Sequence, residues 1–334
     1  MKPTILDVAK HAGVSKATVS RVINNNPKVN NEIRERVYAA IEELGYHPSA
    51  IARSLASSTS STLGLILPDI TNPYFPVLAR GIEDAAHRLG YTLFISNTDN
   101  DPQIEQEYIQ KMVHQQVGGI ILISSILGED KVNELQELQI PFVLCDRLIQ
   151  GSPFDTVSID NYKASYEAVT RLIEQGHTRI CHLAGPSLVQ SAEMRKQAYS
   201  DAMHEHGLES FVRIGSFTYE AGYQLMDSIL NETKPSAVFA ANDLIALGAM
   251  NAIHNRGLNV PGDIAVVGCD DILFAQMSNP TLSTISVPAY QIGVTAVELL
   301  VERMRGVTTS EARNVVVEHK FIQRESMNGE DPRS

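Results

Sequence analysis

The chain has 334 residues, an apolar fraction of 43% and a charged fraction of 20%, the balance of a globular protein too long for one compact core. Its net charge of -12 excludes a molecule that coats nucleic acid over its whole surface. The charge is unevenly laid: residues 1–61 hold 8 Lys and Arg against 5 Asp and Glu, leaving 19 against 34 for the remainder. A basic head therefore precedes an acidic body, as in proteins whose nucleic-acid module is joined to something that avoids phosphates.

From the N-terminus, Ile5, Val8, Ala9 and Ala12 recur at helical spacing and give a first helix one apolar stripe. Gly13 stands where a tight turn needs a left-handed backbone. Ser15 is placed to cap a second helix, with Val14 and Val19 as a hydrophobic staple across its start. Val19 and Val22 face inward, which leaves Lys16, Ala17, Thr18, Ser20 and Arg21 for an outside partner. An ordinary helical hairpin is the alternative for this stretch alone. A third helix spans Asn30 to Gly45, with Ile33, Val37, Ala40, Ile41 and Leu44 on its buried face. Residues 49–56 are helix-compatible but only two turns long, so a helix there is marginal in isolation. A polar, linker-like run, Ser57 to Thr62, follows.

Beyond Leu63 short β-rich runs alternate with longer helical patterns. The runs are Leu63–Pro68, Thr92–Ser96, Gly119–Ser124, Pro141–Cys145, Arg179–Ala184, Ser236–Ala241 and Ile264–Cys269. The helical stretches are 74–90, 102–116, 161–176, 190–207, 219–231, 242–257 and 292–305. Strands that are apolar throughout and alternate with helices predict parallel sheets covered on both faces. There is enough chain for two such doubly wound lobes joined near Asp160, with ligands expected at the strand carboxyl ends. Cys145, Cys181 and Cys269 lie in or beside apolar runs with no metal or disulfide spacing, so buried free thiols are expected and no metal or cofactor. No apolar run approaches bilayer length and no signal-peptide core opens the chain, which predicts a cytoplasmic protein with no membrane partner.

Taken together these pieces resemble the lactose-repressor (LacI) family of bacterial transcription regulators over essentially the whole chain. The resemblance is carried in the head by Leu6-Asp-Val-Ala9, by Gly13-Val-Ser-Lys-Ala-Thr-Val-Ser-Arg-Val-Ile-Asn24 and by Leu44-Gly-Tyr-His-Pro-Ser-Ala-Ile-Ala-Arg-Ser-Leu55. In the body, which is similar to periplasmic sugar-binding proteins, the likeness is to ribose repressors. It rests on the stretch Leu67 to Asp84, on Leu144-Cys-Asp-Arg147, on Ala241-Asn-Asp243 and on Leu282 to Gly293. The fold implied is a small all-α helix-turn-helix head on a body of two doubly wound, periplasmic-binding-protein-like lobes. The divisions implied are a DNA-binding domain at 1–48, a hinge helix and linker at 49–61, and an effector-binding and dimerisation domain at 62–334. Lobe 1 would take about 62–160 and 289–317, and lobe 2 about 161–288 and 318–326.

The resemblance implies a repressor bound to a pseudo-palindromic operator as a homodimer and controlled by a small sugar, ribose or a related pentose foremost. The second helix would enter the major groove, with Lys16 and Ala17 choosing the operator and Arg21 reading guanine. Thr18, Ser20 and Asn24 would reach phosphates. In the hinge, Arg53 would touch phosphate or minor groove and Leu55 would wedge between base pairs. The effector set implied is Asn72, Tyr74, Phe75, Asp146, Arg147, Arg195, Phe217, Asn242 and Asp270, with the two phenylalanines on opposite faces of a sugar ring and the charged groups on its hydroxyls. One departure stands out: Val287 occupies a position where ribose binders usually carry Gln. The family also includes members that bind a phosphocarrier protein on the first lobe, a partner left open here.

Two other classes remain to be weighed. An enzyme on this architecture would be expected to show a Gly-x-Gly-x-x-Gly turn, a phosphate loop or a Gly-x-Ser-x-Gly elbow, and none occurs in the chain. A plain sugar-binding protein would lack the basic head. The polar tail from Arg324 to Ser334 has no leucine heptad to suggest a further oligomerising helix.

Overall fold

The computed structural model describes residues 3–23, 26, 28–46, 60–123, 134–147, 153–307 and 311–328. The chain divides into two compact units, Met1–Ser61 and Thr62–Ser334.

The head unit contains α1 (Ile5–Ala12), α2 (Lys16–Ile23) and α3 (Asn31–Leu44). Thr4 and Asp7 form a reciprocal capping box that starts α1, a device the apolar spacing does not reveal. Gly13 adopts φ 63° and closes the helix in a left-handed turn. The Thr18 amide donates to Ser15 Oγ at 3.1 Å, so Ser15 starts α2 as its position suggests. Val8, Ala9, Ala12, Val19, Val22, Val37 and Ala40 form a small shared core, with Val14 packed at its edge.

Within the second unit two sheets of six strands each are built on one plan. The first orders β11 (Asn314–Val316), β5 (Asp155–Ser158), β4 (Phe142–Cys145), β3 (Gly119–Ile123), β1 (Thr62–Leu67) and β2 (Thr92–Asn97), all parallel. The second orders β12 (Lys320–Ile322), β10 (Ser283–Ser286), β9 (Ala265–Asp270), β8 (Ala237–Ala240), β6 (Ile180–Ala184) and β7 (Phe211–Ile214), parallel except where β12 joins β10. The core strands β1, β3, β4, β6, β8 and β9 are buried along almost their whole length, which is why they read as unbroken apolar runs. Lobe 1 carries α4 (Tyr74–Arg88) and α5 (Pro102–His114); lobe 2 carries α6 (Asn161–Glu174), α7 (Gln190–Glu205), α8 (Tyr219–Glu232), α9 (Asp243–Asn255) and the short α10 (Leu273–Met277).

After β10 the chain returns to lobe 1 as α11 (Ala289–Met304), which packs on α4, β3, β4 and β5. It then supplies β11 to lobe 1, β12 to lobe 2 and the terminal α12 (Glu325–Asn328). The lobes are therefore joined by three crossings, near residues 160, 287 and 318. α11 is anchored by the buried Asp155, whose carboxylate meets Arg303 at 2.7 Å and Arg313 at 2.8 Å. Burial pushes that carboxyl up, but hydrogen bonds from both guanidiniums outweigh it and hold the pKa at about 2.

In lobe 2, β6 buries His182 completely, with its ring stacked 4.9 Å from Phe239 and 5.2 Å from Tyr199. Nδ1 lies 2.9 Å from the Phe239 carbonyl, which can only accept, so the proton sits on Nδ1 and Nε2 is bare and without a hydrogen-bond partner. Burial drives the His182 pKa down to about 4. The unfolded chain takes a proton there near pH 6.5 and the folded chain refuses it until about 4, so stability falls as pH drops through that window, by about 3 kcal/mol. Replacing His182 with Leu is expected to flatten this dependence. Urea denaturation of both proteins at pH 7, 5.5 and 4.5 checks it, and parallel pH profiles would contradict the buried neutral imidazole.

Candidate functional site

On the head, the outward side of α2 presents Lys16, Ala17 and Arg21 as exposed side chains, with Thr18 and Ser20 half-buried. Lys16 and Arg21 put two positive charges on a helix with no acidic residue in its first turn, and the only carboxylate of α1, Asp7, is occupied by Thr4. The Thr18 hydroxyl is 2.8 Å from Ser15 Oγ, so part of its hydrogen-bonding capacity already serves the start of the helix. Asn24, Arg53 and Leu55 lie outside the described residues.

In the body, a cavity of about 260 Å³ opens at the carboxyl ends of both sheets. Lobe 1 contributes Asn72, Tyr74 and Phe75 from the start of α4, Asp146 from the end of β4, and Asp69 and Asp99 from the turns after β1 and β2. Lobe 2 contributes Ser191 and Arg195 from α7, Phe217 and Thr218 before α8, Asn242 before α9 and Asp270 at the end of β9. The position follows from topology: every parallel strand points its carboxyl end to this side, and the order β2-β1-β3 reverses beside the cavity.

The polar groups are held by their own local structure. Asn72 Oδ1 accepts from the Tyr74 amide at 3.1 Å, turning the chain into α4. Asn242 caps α9 by accepting from the Ile245 amide at 2.9 Å, while its Nδ2 donates to the Phe217 carbonyl at 3.5 Å. Arg195, 4% exposed, donates through Nε to Asn161 Oδ1 at 3.0 Å and through Nη1 to the Ala241 carbonyl at 2.5 Å, with Asp270 Oδ1 at 3.9 Å. A hydrogen bond joins the lobes directly where Ser191 Oγ donates to Asp146 Oδ2 at 3.3 Å.

Asp146 and Asp270 occupy equivalent places in the two sheets, each after or at the last residue of the fourth strand and each following a buried cysteine. Both hold positive φ, 56° and 121°. Such backbone is strained for a residue with a Cβ and survives where the surroundings impose it. Burial, and then the nearby Asp243 and Asp146, push the Asp270 carboxyl well above the carboxylate range, with Arg195 pulling the other way. Behind the site Asp243 is fully buried, accepting from Thr284 Oγ1 at 2.6 Å and from the Ile272 amide at 2.9 Å, and burial lifts its pKa to about 7.

The cavity thus brings together Asn72, Tyr74, Phe75, Asp146, Arg195, Phe217, Asn242 and Asp270. It does not include Arg147 in its lining. Val287 is buried, 6% exposed, and also lies outside the lining. Asp69, Asp99, Ser191 and Thr218 are lining residues that sequence reasoning missed. Ser191 could have been found, since it stands four residues before Arg195 on the same helical face.

Residues 60–325 match the family described as periplasmic binding proteins and sugar-binding domain of the LacI family, and residues 4–49 match the bacterial regulatory proteins of that family. The chain is 38% identical over 331 residues to catabolite control protein A of Priestia megaterium, covering 98% of this chain and 99% of that one. It is 39% identical over 303 residues to the ribose operon repressor of Halalkalibacterium halodurans, 90% of each. Among solved structures it resembles the lac repressor dimer bound to operator and the anti-inducer ONPF, with a TM-score of 0.88, 28% identity and coverage of 98% and 99%. The named relatives are transcription regulators, and among the described residues no helix is long and apolar enough to cross a membrane. A helix-turn-helix head with a basic recognition helix, joined to a two-lobed sugar-binding body, places this chain in the LacI family of DNA-binding transcription regulators.

Proposed function

We propose that this protein is a cytoplasmic, non-enzymatic repressor that binds a pseudo-palindromic operator as a homodimer and is switched by one sugar molecule held between its lobes. The observation that carries the reading is the cavity, where charged and amide groups from both lobes surround a space flanked by Phe75 and Phe217. A sugar offers hydroxyls to the polar groups and two weakly apolar ring faces to the phenylalanines. Asn72, Tyr74, Phe75, Asp146, Arg195, Phe217, Asn242 and Asp270 are the contacts in this reading, and Arg147 is left out of it.

Closure by the sugar would strengthen bonds such as Ser191 to Asp146 and change how the lobes sit at the three crossings. Coupled to the 49–61 segment, that change would alter whether two heads can hold a duplex, with Lys16, Ala17, Thr18, Ser20 and Arg21 at the DNA. A ribose-like pentose is the first candidate, because a ribose operon repressor is among the relatives. Homodimerisation is supported by the lac repressor dimer among the similar structures. It is also supported by Leu273, Phe274 and Met277 on lobe 2, which remain 65%, 48% and 68% exposed in the single chain.

The test is to remove the head. A 62–334 fragment, which forms a compact unit with its own hydrophobic cores, is expected to keep a sugar-induced thermal shift and lose salt-dependent operator binding by more than about a hundredfold. An arginine such as Arg21 reading guanine accounts for about 1–3 kcal/mol of discrimination in the intact protein. Operator binding by the fragment, or its absence in the full chain at low salt, would overturn the reading.

A further inference from the structure

We propose that the cavity selects an uncharged polyol and rejects phosphorylated or acidic sugars, with the Tyr74 phenol as the group that finds one ligand hydroxyl. This rests on the sugar-binding reading and narrows it. Tyr74 is 6% exposed and lines the cavity, yet its Oη has no hydrogen-bond partner. A buried phenol left unpaired is costly, and a ligand hydroxyl, able to donate and accept, removes that cost. Asp146, Asp270 and Arg195 line the same cavity, so the phenol sits among the groups that would hold the rest of the ligand.

The charge of the lining decides what else the ligand can carry. Asp69, Asp99, Asp146 and Asp270 all line the cavity, against Arg195 as the only Lys or Arg among the described lining residues. Setting Asp270 aside, three carboxylates still face one guanidinium. Arg195 is moreover committed through Nε to Asn161 and through Nη1 to the Ala241 carbonyl. Helix starts can receive anions through their free amides, and α4, α8 and α9 all begin at this cavity. One amide at each start is already used: Asn72 accepts from Tyr74, Thr218 from Ala221 and Asn242 from Ile245. A phosphoryl group entering here meets more carboxylates than cations, whereas a neutral hydroxyl meets acceptors suited to it.

The experiment titrates D-ribose, D-glucose, ribose 5-phosphate and glucose 6-phosphate into the full chain by calorimetry, with Asp69→Asn/Asp99→Asn and Tyr74→Phe in parallel. A neutral sugar is expected to bind at least a hundredfold more tightly than its phosphate. The double asparagine variant is expected to narrow that gap at least tenfold by raising affinity for the phosphate. Tyr74→Phe is expected to weaken the neutral sugar about tenfold. It should also bind one monodeoxy derivative as well as the unaltered protein does, a pattern that a loss of packing alone would not give. A phosphate ester that binds as tightly as its parent sugar overturns the inference and leaves the sugar-binding reading intact. If none of the four binds while operator binding persists, both the inference and the sugar as effector fall, and only the DNA-binding reading stands.

Discussion

Replacing Arg195 with Met is expected to abolish the sugar-induced thermal shift and to lower the stability of lobe 2 by about 3–5 kcal/mol, the usual penalty for stranding one partner of a buried charged group. Three separate neighbours depend on this guanidinium: the Asn161 side chain, the Ala241 carbonyl and Asp270. Asn161 opens α6 and Ala241 ends the β8 strand region, so one side chain ties two elements of lobe 2 together under the cleft. Met fills much of the volume but supplies no donor. The Ala241 carbonyl and Asn161 Oδ1 would lose their partner in a site 4% exposed. Lys restores a charge but not the planar fork, so Arg195→Lys is expected to recover stability only in part and sugar affinity less. Thermal denaturation with and without sugar separates the two effects. Full sugar affinity in a folded Arg195→Met protein would remove the guanidinium from the binding site.

Much of this architecture is legible in the sequence because burial on both sides of a parallel sheet leaves an unmistakable pattern. Leu63–Pro68, Gly119–Ser124 and Ile264–Cys269 coincide with β1, β3 and β9 to within about a residue at each end. The strands β5, β7 and β10 are less visible for physical reasons. β5 is Asp-Thr-Val-Ser and β10 is Ser-Thr-Ile-Ser, both buried but both rich in hydroxyls that bond within the fold, and β7 is an edge strand with half-exposed residues. In the site, residues at strand ends such as Asp146, Asn242 and Asp270 could be placed from topology alone. Asp69 and Asp99 could not, because each reads as an ordinary turn aspartate and serves as one: Asp69 accepts from Thr71 and Asp99 from Asn97. Arg147 shows the opposite limit. Its type and neighbour suit a sugar site, yet of this adjacent pair only Asp146 is in the cavity lining.

The helix crossing that frames the far side of the cavity is expected to be nearly as sensitive as the cavity itself. Gly222 in α8 and Gly248 in α9 lie where the two backbones touch. A Cβ at Gly248 would come within 2.0 Å of the Tyr219 carbonyl oxygen and 2.8 Å of the Tyr223 nitrogen; one at Gly222 would come within 2.2 Å of the Ile245 carbonyl oxygen. In a helix interior Gly→Ala usually gains about 1 kcal/mol from propensity. Here the obstacle is backbone, which cannot rotate away, so overpacking wins and Gly248→Ala is expected to cost a net 2 kcal/mol or more. The damage also reaches the ligand. Thr218 caps α8 and Asn242 caps α9, and Asn242 Nδ2 meets the Phe217 carbonyl between them. Prising the helices apart separates the Phe217 ring from the Asn242 amide, both of which line the cavity. Gly248→Ala should therefore lower the melting temperature and weaken sugar binding together. Gly262→Ala is the control, since its new Cβ would meet only the Asn259 Cβ at 3.5 Å and should change neither. Equal melting temperatures for the two variants would show that the crossing can open without cost.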